Sequence, residues 1–159
     1  MALLSPGDPA PDLEARTAEG GTVRLSELRG RHVLVYFYPR DGTPGCTAEA
    51  CSLNRHLDDL GDCGAEVIGV SVDGLEAHRR FAEKHGLRFA LASDSDRSIS
   101  RAYGVGRMLG LLPLHQRVSF LVGPDGTVAQ VWPSVSPARH AEEVLEAVRR
   151  RTAGAAGAG

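Results

Sequence analysis

Val33-Leu34-Val35-Tyr36-Phe37-Tyr38-Pro39, followed by Arg40-Asp41-Gly42-Thr43-Pro44-Gly45-Cys46-Thr47-Ala48-Glu49-Ala50-Cys51, decides the fold class. Val33 to Tyr38 is a continuous apolar run, rich in β-branched and aromatic side chains. Such a run predicts a strand buried on both faces, as in a parallel sheet. Pro39 ends it, because proline has no N–H to give to a ladder. Arg40–Gly45 then reads as a loop, and a helix runs from there to about Leu60. In open α/β sheets, the crevice beyond the carboxyl end of a strand is where ligands bind.

Outward from this core the pattern repeats. Val67–Val72 predicts a second buried strand. Asp73-Gly74 turns into a helix over about 75–85, closed by Gly86. Phe89–Ala92 is a candidate third strand and Ser98–Tyr103 a short helix. Val118–Val122 and Thr127–Trp132, split by Gly123-Pro124-Asp125-Gly126, predict a β-hairpin. Ser136-Pro137 offers a cap and a first-turn proline to a last helix, with Arg149, Arg150 and Arg151 at its negative end. Towards the N-terminus, Thr22–Leu25 is a short strand, Ser26 caps a single turn through Leu28, and the first 20 residues read as an extended lead-in. The class is α/β, with parallel strands first and an antiparallel pair last. Residues 1–151 form one domain. The tail 152–159 is only Ala and Gly after Thr152 and is expected to be disordered.

Composition narrows the function classes. Lys and Arg total 18 against 20 Asp and Glu, so the net charge is 18 − 20 = −2, without the basic excess of a nucleic-acid binder. The longest apolar run is far shorter than the roughly 20 residues that cross a bilayer. Met1–Pro6 lacks the basic and apolar regions of a secretory leader. The expectation is a soluble, cytoplasmic chain. Its three cysteines, Cys46, Cys51 and Cys63, are too few and odd in number for a secreted disulfide scaffold.

Cys46 has the setting of a reactive thiol. With Thr43 as N-cap and Pro44 at the first helical position, it lies in the first turn, near unpaired backbone N–H groups and the positive end of the helix dipole. Such partly exposed, electropositive places favour the nucleophilic thiolate. At about 100° per residue, Cys46, Ala50, Leu53, Leu57 and Leu60 share one stripe, whereas Cys51 is rotated from it by about 140° towards Arg55, Asp58 and Asp59. Within an intact helix the Cα atoms of Cys46 and Cys51 would be about 8.6 Å apart. A disulfide needs less than about 7 Å, so a bond between them requires the first turns to unwind.

Pro39-x-x-x-Thr43-x-x-Cys46 resembles the active-site motif of peroxiredoxins. With Glu49-Ala50-Cys51 beyond it and Gly7-Asp8-x-Ala10-Pro11 ahead of it, the chain to Trp132 is similar to the Q-type subgroup, also called bacterioferritin comigratory protein. The resemblance implies a thioredoxin-like fold, a central mixed sheet flanked by helices with an N-terminal extension. It implies a thiol peroxidase acting on hydrogen peroxide and organic hydroperoxides, with no metal or organic cofactor. By the same resemblance, Cys46 matches the peroxidatic cysteine and Cys51 the resolving one. Thr43 matches the hydroxyl that bonds thiolate and peroxide, and Pro39 the residue that shields the site. Arg117, in Arg117-Val118-Ser119-Phe120, matches the family's arginine. The expected product, a Cys46 sulfenic acid, condenses with Cys51, and thioredoxin or a similar dithiol restores both thiols. The expected assembly is a monomer or weak homodimer. Glu49 could oppose a nearby thiolate or position Arg117, and the sequence leaves both open.

Two other classes compete. A Cys₃His zinc module from Cys46, Cys51, Cys63 and His56 has the wrong spacing. A thioredoxin-like dithiol oxidoreductase would carry Cys-x-x-Cys, which is absent. A phosphate loop at Gly42–Thr47 lacks Gly-Lys-Ser/Thr. Cys63 reads as a buried structural thiol. The six histidines show no ligand spacing and are expected at surface or cap positions. Met108–Leu114 is either a loop over the core or an exposed apolar rim near the site.

Overall fold

The computed structural model describes residues 3–106 and 115–158. The Met108–Leu114 segment lies outside the described residues.

The central strand is β3 (His32–Phe37), and five strands align in the order β5-β4-β3-β6-β7. β4 (Ala65–Ser71) runs parallel to β3 and β5 (Ala90–Ser93) parallel to β4. β6 (Val118–Val122) runs antiparallel to β3 and pairs with β7 (Val128–Trp132) in the expected hairpin. The sheet is therefore mixed. Side chains alternate across β3. Leu34, Tyr36 and Tyr38 join the core layer shared with α1 (Pro44–Arg55) and α5 (His140–Ala158). Val33, Val35 and Phe37 join the opposite layer, with Ile99 and Tyr103 of α4 (Ser98–Tyr103). With both faces covered, every residue from Val33 to Tyr38 is no more than 1% exposed.

Tyr36 illustrates how tightly the first layer closes. A Cβ on Gly69, its parallel neighbour on β4, would sit 2.9 Å from the Tyr36 ring and hydroxyl. Only glycine leaves that space.

Several elements differ from the expected ones. The lead-in contains a strand, β1 (Glu14–Arg16), which pairs antiparallel with β2 (Thr22–Arg24). Ser26 caps nothing with its side chain; it lies inside a 3-10 turn over Leu25–Leu28 and donates its N–H to Asp12. The helix expected to reach Leu60 breaks at His56, whose ring is 2.9 Å from the Ser52 carbonyl, and restarts as α2 (Leu57–Asp62). The break still delivers Leu60 to the core. It also places Asp58 and Asp59 in a new first turn, where acids suit the dipole. α3 (Leu75–His85) ends as expected at Gly86, in the left-handed conformation. α5 begins at His140 rather than Pro137, because the Ser136 carbonyl accepts the N–H groups of Arg139 and His140 in a preceding turn. Its helical backbone continues to Ala158, into the tail whose composition predicts disorder; alanine has the highest intrinsic helix propensity.

The histidines also depart from expectation. His78, His115 and His140 are fully buried. His140 bonds Ser119 Oγ at 2.8 Å, and burial pushes it down to about 4, so it packs neutral against Trp132. His115 lies 2.9 Å from Asp94, whose oxygens also accept the N–H groups of Ile99 and Ser100 at the start of α4.

Candidate active site

The loop from β3 into α1 brings the motif residues together. Pro39 is buried as the strand ends. Thr43 is the N-cap residue in extended conformation, and Pro44 opens the helix. The Thr43 hydroxyl does not cap a helical N–H; it donates to the Arg40 carbonyl at 3.0 Å. Cys46 falls at the third helical position and is 1% exposed, more buried than the partly open setting expected of it. Its stripe partners Ala50, Leu53 and Leu60 are fully buried with it, so the helix face that carries the sulfur is the one packed on the sheet.

Arg117 reaches Cys46 across 71 residues of sequence: Nη2 lies 3.5 Å from Sγ, and Nη1 donates to Glu49 Oε1 at 3.0 Å. Sheet register makes this contact. Val118 pairs with Phe37, so the residue before β6 stands beside the point where β3 gives way to the loop. Gly45 leaves room for the guanidinium, since a Cβ there would lie 3.1 Å from Nη2.

Cys51 is half-buried on the neighbouring face of α1, and all three cysteines are free thiols. One unbroken helix carries both Cys46 and Cys51, as in a reduced site. Cys63 is half-buried rather than buried and packs against the core from the end of α2.

The model of the AhpC/TSA family matches residues 6–131 of the chain. This chain is a member of that family. Peroxiredoxin Bcp of Bacillus subtilis is 35% identical over 151 residues, 90% of this chain and 94% of that protein. Peroxiredoxin Bcp of Escherichia coli K12 is 38% identical over 150 residues, 91% and 96% of the two chains. Among solved structures, Peroxidoxin BcpB of Mycobacterium tuberculosis superposes with a TM-score of 0.86 at 32% identity, over 92% of this chain and 97% of that one. The bacterioferritin comigratory protein of Xanthomonas campestris gives 0.85 at 35% identity, over 93% and 99%. The protein is thus a peroxiredoxin, a thiol peroxidase, and its fold is the thioredoxin-like one.

The electrostatics of this peroxiredoxin turn on Arg117. Burial alone would weaken the hold of its guanidinium on a proton; Cys46 and Glu49 outweigh that and raise its pKa above the ordinary value. Glu49 moves the other way from a typical carboxylate. Burial pushes it up to about 7, against the opposing pull of Arg117. Of the two roles left open for Glu49, the geometry supports positioning of Arg117 directly. Tyr36 enters from below, its phenol pushed well up by burial and by the nearby Glu49 and Cys46 charges.

A second network, missed from the sequence, anchors the same loop. The Tyr38 hydroxyl donates to Asp41 Oδ1 at 2.6 Å, His78 Nδ1 lies 2.6 Å from Asp41 Oδ2, and Asp41 N–H donates to Asp73 at 2.8 Å. His78 Nε2 faces the Ala92 carbonyl at 3.1 Å. Both ring nitrogens thus face oxygen partners. The only sequence signal was the position of His78 on the apolar face of α3. Among the described residues, Asp41, Asp73 and His78 also form the set with metal-ligand spacing, and no cysteine belongs to it. A groove of about 730 Å³ opens beside this loop, lined by residues including Arg40, Thr47, Ala48, Phe81 and Lys84. Cys46 does not line it, because Thr47 and Ala48 face the groove while the sulfur faces the core.

Proposed function

We propose that this peroxiredoxin reduces hydrogen peroxide and organic hydroperoxides through Cys46, with Cys51 as the resolving thiol. The observation that carries the assignment is the 3.5 Å contact of Arg117 Nη2 with the sulfur of a cysteine in the first turn of α1. The relative from Xanthomonas campestris, described for alkyl peroxide reduction, supports the organic substrates.

The Cys46 thiolate attacks one peroxide oxygen, the O–O bond breaks, and the leaving oxygen departs as water or alcohol after taking a proton. Arg117 stabilises the negative charge as it moves from sulfur to the leaving oxygen. Thr43, with its own hydrogen on the Arg40 carbonyl, presents oxygen lone pairs to the hydroperoxide O–H and orients it for in-line attack. Pro39, buried at the strand end, keeps water from the sulfur. The Cys46 sulfenic acid then condenses with the Cys51 thiol, releasing water. Because one helix carries both residues, condensation requires its first turns to open. A dithiol, thioredoxin or one like it, regenerates the thiols by exchange. The chemistry needs no metal or organic cofactor.

Residues 1–151 serve as one catalytic domain, acting as a monomer or weak homodimer in the cytoplasm. The near-balanced charge supports a protein that does not bind nucleic acid, and no described helix is long and apolar enough to cross a membrane.

Peptide mapping after one equivalent of hydrogen peroxide tests the assignment. The expected result is loss of two hydrogens and a Cys46–Cys51 link. Cys46→Ser should abolish turnover, and Cys51→Ser should consume a single equivalent without reductant-coupled turnover. Full activity in Cys46→Ser would overturn the reading.

A further inference from the structure

Arg117 faces two acids at once. Its two terminal nitrogens contact Cys46 Sγ at 3.5 Å and Glu49 Oε1 at 3.0 Å. The Glu49 side chain is 1% exposed, and its second oxygen, Oε2, has no hydrogen-bond partner among the described residues. Tyr36 approaches from β3 with a buried hydroxyl that is likewise unpartnered among the described residues, and its phenol adds no positive charge. Asp41, on the loop, contributes a further negative charge that Tyr36 also feels. Arg117 therefore faces a thiol and a carboxyl with a single positive charge. If both were ionised, the buried group would carry an uncompensated negative charge, with one carboxylate oxygen unpaired among the described residues. Buried sites avoid this by holding a proton.

We propose, building on the reading of Cys46 as the nucleophile, that Cys46 and Glu49 share one negative charge through Arg117. Glu49 holds a proton while Cys46 is the thiolate, and gives it up as the sulfur charge is consumed. The balance is Cys46–S⁻ + Glu49–COOH + ROOH → Cys46–SOH + Glu49–COO⁻ + ROH. The sulfur electron pair forms the S–O bond, the O–O pair leaves on RO⁻, and RO⁻ takes up one proton as Glu49 gives one up, so no proton is gained or lost overall. The charge around Arg117 is the same before and after: one cation and one anion, first on sulfur and then on the carboxylate. Glu49 acts on the reaction through Arg117 and is a positioning residue with a proton to exchange. Its carboxyl is already raised by burial to about 7, and a neighbouring thiolate raises it further. Two interacting acids then titrate as a pair.

The test counts protons. Reduced Cys51→Ser protein, which traps the sulfenic acid, is mixed with one equivalent of hydrogen peroxide in weak buffer with an indicator dye. The pH is set to about 8, above the ordinary carboxyl range, so that Glu49 is ionised once the sulfur is neutral. The expected result is no net proton uptake as the Cys46 sulfenic acid forms. The double variant Cys51→Ser, Glu49→Gln should take up one proton per sulfenic acid. Glutamine can still accept from Arg117, so a merely structural role would leave the count unchanged. In the otherwise wild-type protein, the rate should fall on the alkaline side as Glu49 loses its proton, and Glu49→Gln should lack that limb. Uptake of one proton by the Cys51→Ser protein itself overturns the proposal, and this count stands even if Glu49→Gln does not fold. An unchanged alkaline limb in a folded Glu49→Gln overturns it too. If no Cys46 sulfenic acid forms at all, the nucleophile assignment falls, which is a different failure.

Discussion

Two acids with covered side chains, Asp41 in the loop between β3 and α1 and Glu49 in α1, are treated differently by the protein. Asp41 has both carboxylate oxygens engaged, one by the Tyr38 hydroxyl and one by His78, each at 2.6 Å. Glu49 has one oxygen on Arg117 and one without a partner among the described residues. Fully satisfied buried networks rigidify a structure, whereas an unsatisfied polar atom asks for a reason. Asp41 ties the loop to α3 and to Asp73, just beyond β4. In the proposed mechanism, Glu49 exchanges its charge with the Cys46 sulfur. The contrast separates an anchor from a proposed site of chemistry eight residues apart in the chain.

The largest expected effect tests the anchor. His78→Ala removes one partner of a buried pair and should destabilise the fold by about 3–5 kcal/mol in urea unfolding. A loss below about 1 kcal/mol, the value of an exposed pair, would erase the contrast from the Asp41 side. Arg117→Lys comes next. Lysine keeps the charge but loses the fork that reaches two acids, so kcat/KM for peroxide should fall roughly 10²-fold or more with little change in stability. Unfolding in place of slow turnover would make Arg117 an anchor as well.

The third effect is a pH dependence with a definite sign. Glu49 has a folded value of about 7 against an ordinary 4.5. A raised carboxyl contributes stability that is fully present below its unfolded value and is lost as pH rises through the folded one. In a Cys46→Ser background, free of the coupled thiol, Glu49→Gln should therefore gain on its parent as pH rises from about 4.5 to about 7, by up to about 3 kcal/mol. Parallel stability curves would show that Glu49 is as settled as Asp41. The smallest effect belongs to Gly45→Ala. The added Cβ would lie 3.1 Å from Arg117 Nη2, and a side chain about half an ångström out of place should cost a few-fold in peroxide reduction. Unchanged rates would mean that the guanidinium has room to give.

Much of the fold is legible in local pattern. The unalternating run at Val33–Tyr38 is the central strand, buried on both faces as its composition requires. Gly86 closes α3 in the left-handed conformation, which glycine adopts at no steric cost. Thr43-Pro44 opens α1 and places Cys46 in its first turn. The break at His56 was not legible. No proline or glycine marks it, and the residues on both sides are acceptable in a helix. The burial of Cys46 was not legible either: helix position predicts the electrostatic setting of a sulfur but not how closely another layer covers it.

The sequence by itself determined the strand-loop-helix unit, the phase of α1 that aligns Cys46 with Ala50 and Leu53, and the spacing that keeps Cys51 out of reach in an intact helix. These follow from short-range sterics, hydrogen bonding and a fixed rotation per residue. Arg117 was reached only through a resemblance to a family, never from spacing. Its contact with Cys46 spans 71 residues and depends on the register that sets Val118 opposite Phe37. The pairing of His78 with Asp41 spans 37 residues and depends on where α3 lies against the sheet. Only the tertiary structure decided these charges, because a charge's partner and its exposure to water are properties of the packed layers and not of its neighbours in the chain.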